Sequence, residues 1–440
     1  MSKFQFKSYS LDEAKNAVVL KYAVDDIYFF EEVISFANAR PFSLLNPEEQ
    51  KAFLRALDNL SIAAGISYYK AFVPDIIELD DNLQLTEDEA QFWRSFYVNG
   101  LSEFAYKNKI SLEEKVKFPF VKNLQKKPFD LSTSETVLVP VGGGKDSNVT
   151  IEILRENGFD VMLFSVRSLK IINDCIKAAD LPSLMVDRII SPELIRLNKE
   201  GITLNGHVPI TGIICFIALA TAILNGYSAV VFSNERCADE GNVLGANHQW
   251  SKSFEAEKMI SEQIKKHIVN IDCFSLLRPY SELFIASKFA ELKKYHGVFT
   301  SCNKAFFVDK DKRIDHWCAD CDKCRFVFLV LAVFMDKQEL VNIFGGVNLL
   351  DESHQESGYK ELLGLSGHKP FECVGEVDEC RAALCRLAEL PEWSEDYIVK
   401  ELISQVRQKG EYNYRDWLVP SVGKDIIPGN FKEVKILCKT

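Results

Sequence analysis

The chain has 440 residues, 47% of them hydrophobic, enough to bury a large core and to build two or three domains. Its formal charge of -11 argues against generic nucleic-acid or anionic-membrane binding, which favours basic surfaces, so a polyanionic substrate must be met by a local basic pocket. The 12 cysteines follow no recognisable secretory leader, because Met1-Ser2-Lys3-Phe4-Gln5-Phe6 opens as a strand. In a reducing cytosol they are expected as core residues, metal ligands or catalytic thiols rather than disulfides.

Residues 4–9, 17–22 and 27–36 alternate apolar and polar positions across short polar links, which predicts an antiparallel meander. Helical patterns follow over 47–64 and 87–106, the second opening on Thr86-Glu87-Asp88-Glu89 with acidic side chains at the helix's positive end. The polar stretch 122–135 reads as a linker. From Thr136 the pattern becomes strand–helix–strand, with strands predicted over 137–141, 161–166, 183–186, 229–233 and 298–301. That alternation predicts a parallel sheet covered by helices on both faces. The nearly uncharged run 208–224 approaches membrane-spanning length. It contains Pro209, Thr211 and Gly212, and Asn225-Gly226 turns it into the next strand, so it is expected as a helix buried against the sheet of a soluble, cytoplasmic protein. From Asp336 the pattern is mostly helical, with Trp393 and Trp417 as core anchors. The expected fold class is α/β: a parallel, doubly wound domain over 131–345, after a β-meander-plus-helix domain over 1–130 and before a helical region over 346–440.

Ligands of open parallel sheets bind beyond the carboxyl ends of the strands. Polar clusters fall there: residues 142–147, Ser165-Val166-Arg167, residues 234–242 and Cys302-Asn303-Lys304. In the first cluster, Val137-Leu138-Val139-Pro140-Val141-Gly142-Gly143-Gly144-Lys145-Asp146-Ser147, an apolar strand runs through three glycines into a helical pattern. Glycines let backbone approach a ligand closely, and the helix N-terminus offers unpaired N–H groups and a positive dipole end to an anion. This is a candidate phosphate cradle, though not a Walker A loop. It resembles the Ser-Gly-Gly-x-Asp-Ser signature of the PP-loop (HUP-like, N-type) ATP pyrophosphatases, which split ATP between the α- and β-phosphates. Gly143, Gly144, Asp146 and Ser147 match, while Gly142 stands in place of the leading Ser and removes one hydroxyl contact.

Cys318-Ala319-Asp320-Cys321-Asp322-Lys323-Cys324 spaces three thiols two residues apart, with Cys302 upstream. Four thiolates suit a closed tetrahedral zinc site, and an iron–sulfur cluster takes the same ligand set. No position is left for water, so the expected role is structural. The other cysteines (Cys175, Cys215, Cys237, Cys273, Cys373, Cys380, Cys385 and Cys438) are scattered and expected to be inert. Within the PP-loop group, Ser301-Cys302 followed by Cys318, Cys321 and Cys324 resembles the tail of 7-cyano-7-deazaguanine synthase, which adenylates a carboxylate.

Further blocks carry a narrower resemblance. They are Ala64-Gly65-Ile66-Ser67-Tyr68-Tyr69-Lys70, Asn99-Gly100-Leu101-Ser102-Glu103-Phe104 and Leu204-Asn205-Gly206-His207-Val208-Pro209. Beyond these come Ser233-Asn234-Glu235-Arg236, Asn247-His248-Gln249-Trp250-Ser251-Lys252-Ser253, Leu277-Arg278-Pro279-Tyr280-Ser281-Glu282, and Gly367-His368-Lys369-Pro370-Phe371-Glu372-Cys373-Val374-Gly375-Glu376. Together with the glycine loop and the cysteine tail, they resemble the UDP-N-acetyl-α-D-muramoyl-L-alanyl-L-glutamate epimerases from about Phe4 to about Glu376. That family inverts the terminal L-Glu of a peptidoglycan precursor with ATP and Mg²⁺, so the resemblance implies a UDP-N-acetylmuramoyl dipeptide substrate and a role in cell-wall biogenesis. No nucleic-acid or membrane partner is implied, and self-association into a homo-oligomer is left open.

On that resemblance, Gly142, Gly143, Gly144 and Ser147 cradle pyrophosphate, Lys145 offsets leaving-group charge, and Asp146 holds Mg²⁺. Ser165 and Val166 are candidates for adenine contact through their backbone. Candidate α-proton bases are His207, His248, Asp239 and Glu240; Arg236, Lys252 and Arg278 are candidates for binding substrate carboxylates or phosphates. The competing expectation is a PP-loop ligase or amidotransferase that adenylates another carboxylate and transfers it to an amine. A tRNA-modifying enzyme fits the acidic charge less well.

Overall fold

The computed structural model describes residues 2–241, 246–307, 310–421 and 423–434. The strands are β1 (Lys3–Phe6), β2 (Ser10–Asp12), β3 (Ala17–Val24), β4 (Tyr28–Ser35), β5 (Ile76–Glu78), β6 (Val137–Pro140), β7 (Val161–Val166), β8 (Ser183–Ile189), β9 (Ala229–Phe232) and β10 (Asp272–Ser275). They form one 10-stranded sheet in the order β10-β9-β6-β7-β8-β4-β3-β1-β5, with β2 paired to β3. The pairs from β10 to β8 are all parallel. Numbered among themselves, these five strands lie in the order 3-2-1-4-5, so the winding reverses between β6 and β9. The reversal opens a crevice at the carboxyl ends of β6 and β9, where doubly wound sheets bind ligands.

The parallel strands read as continuous apolar runs because both of their faces are covered. Side chains alternate between two cores: Val137 and Val139 enter one and Leu138 the other, and in β9 Ala229 and Val231 oppose Val230 and Phe232. The first core is closed by helices Lys145–Glu156, Glu282–Glu291 and Asp322–Ala332, the second by helices Pro47–Phe72 and Ile210–Asn225. The latter is the nearly uncharged segment, and among the described residues no helix is long and apolar enough to cross a membrane.

The N-terminal meander forms as β1–β3–β4, antiparallel throughout. It continues into the parallel sheet through an antiparallel β4–β8 pairing, Ile34 opposite Arg188. Helix Pro47–Phe72 starts at a reciprocal Asn46–Glu49 capping box and runs past the expected end at 64. Gly65 lies inside it because a Cβ there would stand 2.5 Å from the Phe6 ring, so the glycine serves close packing rather than termination. The segment expected as one helix over 87–106 divides at Leu101 into Glu87–Gly100 and Ser102–Asn108.

The strand predicted over 298–301 does not form, and β10 takes its place in the sheet. Residues 298–301 instead lie against the glycine loop: the Thr300 N–H donates to the Gly143 carbonyl at 3.0 Å, which satisfies backbone without a ladder. Trp393 is fully buried as expected, whereas Trp417 is only partly buried beneath the Arg236 guanidinium, 4.8 Å from its ring centroid.

Candidate functional site

At the carboxyl end of β6 the chain turns through Gly142–Gly144 into helix Lys145–Glu156. Gly143 has φ +83, and a Cβ on it would lie 2.8 Å from Ile171 Cγ2. Gly142 faces open space, with nothing within 4 Å of its would-be Cβ. Gly144 is the N-cap of the helix and supplies no side-chain cap, so first-turn N–H groups are left for another acceptor. Ser147 donates its hydroxyl to the Gly144 carbonyl at 3.3 Å. Ser165 at the end of β7 and Ser233 after β9 carry buried hydroxyls with no hydrogen-bond partner among the described residues, both on this sheet edge. These features fit a bound polyanion with a polar appendage.

Lys145, 2% exposed, bonds Asp146 and Glu282 together. Burial works against its ammonium, but the two carboxylates outweigh it and raise its pKa. Burial likewise pushes the Glu282 carboxyl up, to about 8, against the attraction of Lys145. Cys237 joins the group, donating to Glu235 at 3.1 Å, and polar atoms of Glu235, Cys237 and Glu282 all lie within 4.8 Å of one another. Arg167, just past β7, takes φ +87; burial, then the positive charges of Arg313 and Arg188, lower its pKa. A strained, partly buried arginine beside other cations is poised for an anion.

A second cluster is assembled from segments far apart in sequence. Glu103, on helix Ser102–Asn108, accepts from His248 Nδ1 at 2.5 Å, bonds Lys107 and lies 3.8 Å from His207 Nδ1. The two imidazole rings are 4.4 Å apart. Burial pushes His248 down, but hydrogen bonds to Cys373 and Glu103 raise it to about 9. His207 goes the other way, to about 4, through burial and the neighbouring His248 charge. Burial would raise Glu103, yet its bonds to His248 and Lys107 hold it down at about 2. The cluster thus pairs a protonated imidazole with a neutral one.

Lys252 links the two clusters. Its Nζ donates to Cys373 Sγ at 3.3 Å, and its charge also acts on Glu235 and Asp146. Burial pushes the Cys373 thiol up, but Lys252, Lys323 and His248 outweigh it and bring it down to about 6. Cys373, expected from the sequence to be inert, has its sulfur 3.3 Å from Lys252 Nζ, and the cations around it favour its ionised form.

Other sequence candidates sit in supporting positions. Asp239 accepts the Phe254 N–H at 2.7 Å at the start of a helix, and Glu240 pairs with Lys369 at 2.5 Å. Arg236 pairs with Glu376 at 3.0 Å. Arg278, 1% exposed, donates to Glu257 at 2.6 Å and to the carbonyls of Glu235 at 2.7 Å and Lys252 at 2.5 Å, which makes it a clamp on those two residues. Residues 242–245, including Asn242 at the end of one polar cluster, and Cys438 lie outside the described residues. Glu103, Lys107, Glu282 and Lys323 carried no assignment in the sequence; Glu103 and Glu282 do fall inside the resemblance blocks, the one available signal.

Cys302, Cys318, Cys321 and Cys324 converge, with Sγ–Sγ distances of 4.0 Å (302–321), 3.7 Å (318–324) and 3.5 Å (321–324). Thiolates at the Zn–S distance around one tetrahedral ion stand about 3.8 Å apart, so the donor set fits a single metal. The site lies beside the glycine loop: Ser301 Oγ would be 2.8 Å from a Cβ on Gly144.

Comparison with known proteins matches residues 1–276 to the MurL N-terminal domain and residues 298–416 to the MurL C-terminal domain. A protein from Xanthomonas oryzae pv. oryzae, named UDP-N-acetyl-alpha-D-muramoyl-L-alanyl-L-glutamate epimerase, is 40% identical over 94% of this chain and 92% of its own length. One of the same name from Micromonospora is 42% identical over 92% of this chain and 91% of its own. A third, from Salinispora tropica, is 41% identical over 92% and 89%. With its glycine loop, imidazole cluster and four-cysteine site all inside the matched span, the chain belongs to the UDP-N-acetyl-α-D-muramoyl-L-alanyl-L-glutamate epimerase family.

Proposed function

We propose that the chain inverts the terminal L-Glu of UDP-N-acetylmuramoyl-L-Ala-L-Glu to D-Glu through an acyl-adenylate, releasing AMP and pyrophosphate, in the cytoplasmic synthesis of peptidoglycan precursors. The observation that carries this reading is the juxtaposition, along one sheet edge, of an anion cradle and an imidazole–carboxylate cluster joined through Lys252. A free carboxylate suppresses acidity at its α-carbon, because deprotonation places a second negative charge beside the first. Adenylation removes the first charge and makes the carbonyl electron-withdrawing, so a side-chain base can take the α-proton. Return of a proton from the other face inverts the centre, and hydrolysis releases product and AMP.

In this reading residues 131–345 form a PP-loop ATP-binding domain, supported by the 3-2-1-4-5 strand order and by the glycine loop at the winding reversal. Gly142–Gly144 and the helix N-terminus hold the departing pyrophosphate, with Lys145 and Arg167 supplying positive charge. Asp146, its side chain 31% exposed at the loop, would hold Mg²⁺, which supplies charge neutralisation on the phosphates. Ser165 and Val166 are the proposed backbone contacts for the adenine. Residues 1–130 contribute Glu103 and Lys107 to the proton-transfer cluster. Zn²⁺ is the proposed metal of the four cysteines: sulfurs 3.5–4.0 Å apart suit one shared ion better than thiolates on separate irons.

The test is deuterium wash-in with purified protein, ATP, Mg²⁺ and the L-Glu substrate in D₂O. One deuterium at the terminal Glu, D-Glu and ATP-dependent pyrophosphate are expected together. Pyrophosphate without deuterium would favour a ligase.

A further inference from the structure

Residues 367–376 form a strap across the site, and the reaction outlined above assigns them no part. Lys369 pairs with Glu240 at 2.5 Å, and the Val374 carbonyl lies 3.6 Å from Cys237 Sγ. The Phe371 ring lies over Lys107, 5.0 Å from its ammonium, on the helix that carries Glu103. Lys323, next to the metal-site ligand Cys324, donates to the Cys373 carbonyl. The strap is therefore anchored from three sides, and these anchors set the position of one side chain, Cys373. Its Sγ accepts from Lys252 Nζ at 3.3 Å and hydrogen-bonds His248. As a residue Cys373 is half-buried, and a cleft of ≈ 730 Å³ lined by Asn99, Ser102, Tyr106 and Lys107 opens along the helix that carries Glu103.

We propose that the Cys373 thiolate is a proton carrier at the glutamyl α-carbon, held in place by Lys252 and His248. The inference rests on the epimerase reading and deepens it. In the step, the Cα–H bond of the activated glutamyl group breaks, its electron pair moves into the adjoining carbonyl, and the proton forms the S–H bond. A proton derived from solvent water then reaches Cα from the opposite face, with the electron pair returning from oxygen to carbon. In the reverse direction the thiol donates. The charged and titratable groups that face the sulfur are Lys252, Lys323, His248 and Glu372. The first three favour its ionised form before substrate arrives.

The variants C373A and C373S, made in the full-length protein, separate this role from adenylation. Expected for both are pyrophosphate release within about threefold of wild type and loss of inversion by roughly a hundredfold or more. α-Hydrogen exchange without inversion should persist from only one of the two glutamyl epimers, because only the face that Cys373 serves is disabled. Inversion within about tenfold of wild type in C373A would overturn the proposal, as would equal loss of pyrophosphate release and inversion in both variants. Wild-type protein supplies a check that needs no variant: iodoacetamide should label Cys373 near pH 7, with protection by the UDP-muramoyl dipeptide. Failure of labelling would overturn the assignment. If the wild type itself releases pyrophosphate but washes in no deuterium, the epimerase reading falls, an outcome distinct from any of these.

Discussion

Glu103 helps to set the charge of the imidazole–carboxylate cluster although it touches no expected phosphate position. His248 is raised to about 9, so its bonds stabilise the fold fully below the unfolded histidine value and are lost as pH rises through about 9. Glu103 is lowered to about 2, so its contribution is present above the unfolded carboxyl value and lost as pH falls toward 2. With Cys373 near 6 and facing Lys252, Lys323, His248 and Glu372, inversion should rise as pH passes about 6 and fall as it passes about 9. Glu103→Gln keeps the shape but removes the charge. The alkaline limb should then move to lower pH, and the stability lost between neutrality and pH 9 should shrink, as measured by rate profiles and by melting temperature across that range. An unchanged alkaline limb would show that His248 does not set it.

The glycine turn after β6 separates backbone strain from ligand approach. Gly143→Ala must adopt φ +83 and meet Ile171 at 2.8 Å, so it should cost about 1–3 kcal/mol of stability as well as nucleotide affinity. Gly142→Ala has neither constraint, and should leave stability within about 0.5 kcal/mol while raising the KM for ATP. An unchanged KM in Gly142→Ala would remove the loop from the nucleotide site. This turn was legible in the sequence because strand, glycines and helix are contiguous, and β7 was legible over its whole length. What escaped was non-local. The strand-like residues 298–301 gave no clue that the Thr300 N–H goes to Gly143, while β10 is only Asp272–Ser275, with polar residues at both ends. His248 was singled out but not its partner Glu103, 145 positions away, because nothing local to either residue encodes the bond. Cys373 looked like any scattered thiol, since its ionisation depends on ammonium groups from two other segments. Arg278 looked like an anion binder, yet burial with Glu257 and two carbonyls is a tertiary property.

At the scale of the whole molecule, two ties hold the site to its supports. The four-cysteine centre joins the segment beside the glycine loop to the helix that carries Lys323, so with the proposed metal bound there, its removal should disturb the cradle and the 367–376 strap together. Elemental analysis should find one metal per chain, and a strong chelator should lower melting temperature and pyrophosphate release in parallel. The other tie is where the meander meets the parallel sheet. There Arg188 on β8 meets Glu32 on β4 at 2.7 Å, and Tyr68 donates to the same carboxylate at 2.8 Å, with Glu32 fully buried. Breaking such a pair leaves an uncompensated buried charge, so Arg188→Met should cost about 3–5 kcal/mol. Replacing both residues in the double variant Glu32→Met, Arg188→Met should recover most of that loss. The meander carries the helix that leads to Glu103, so the single variant should also weaken inversion more than pyrophosphate release. Urea unfolding of the two variants, with both activities measured on each, checks the seam; equal stability of the single variant and wild type would mean that β4 and β8 are held by their ladder alone.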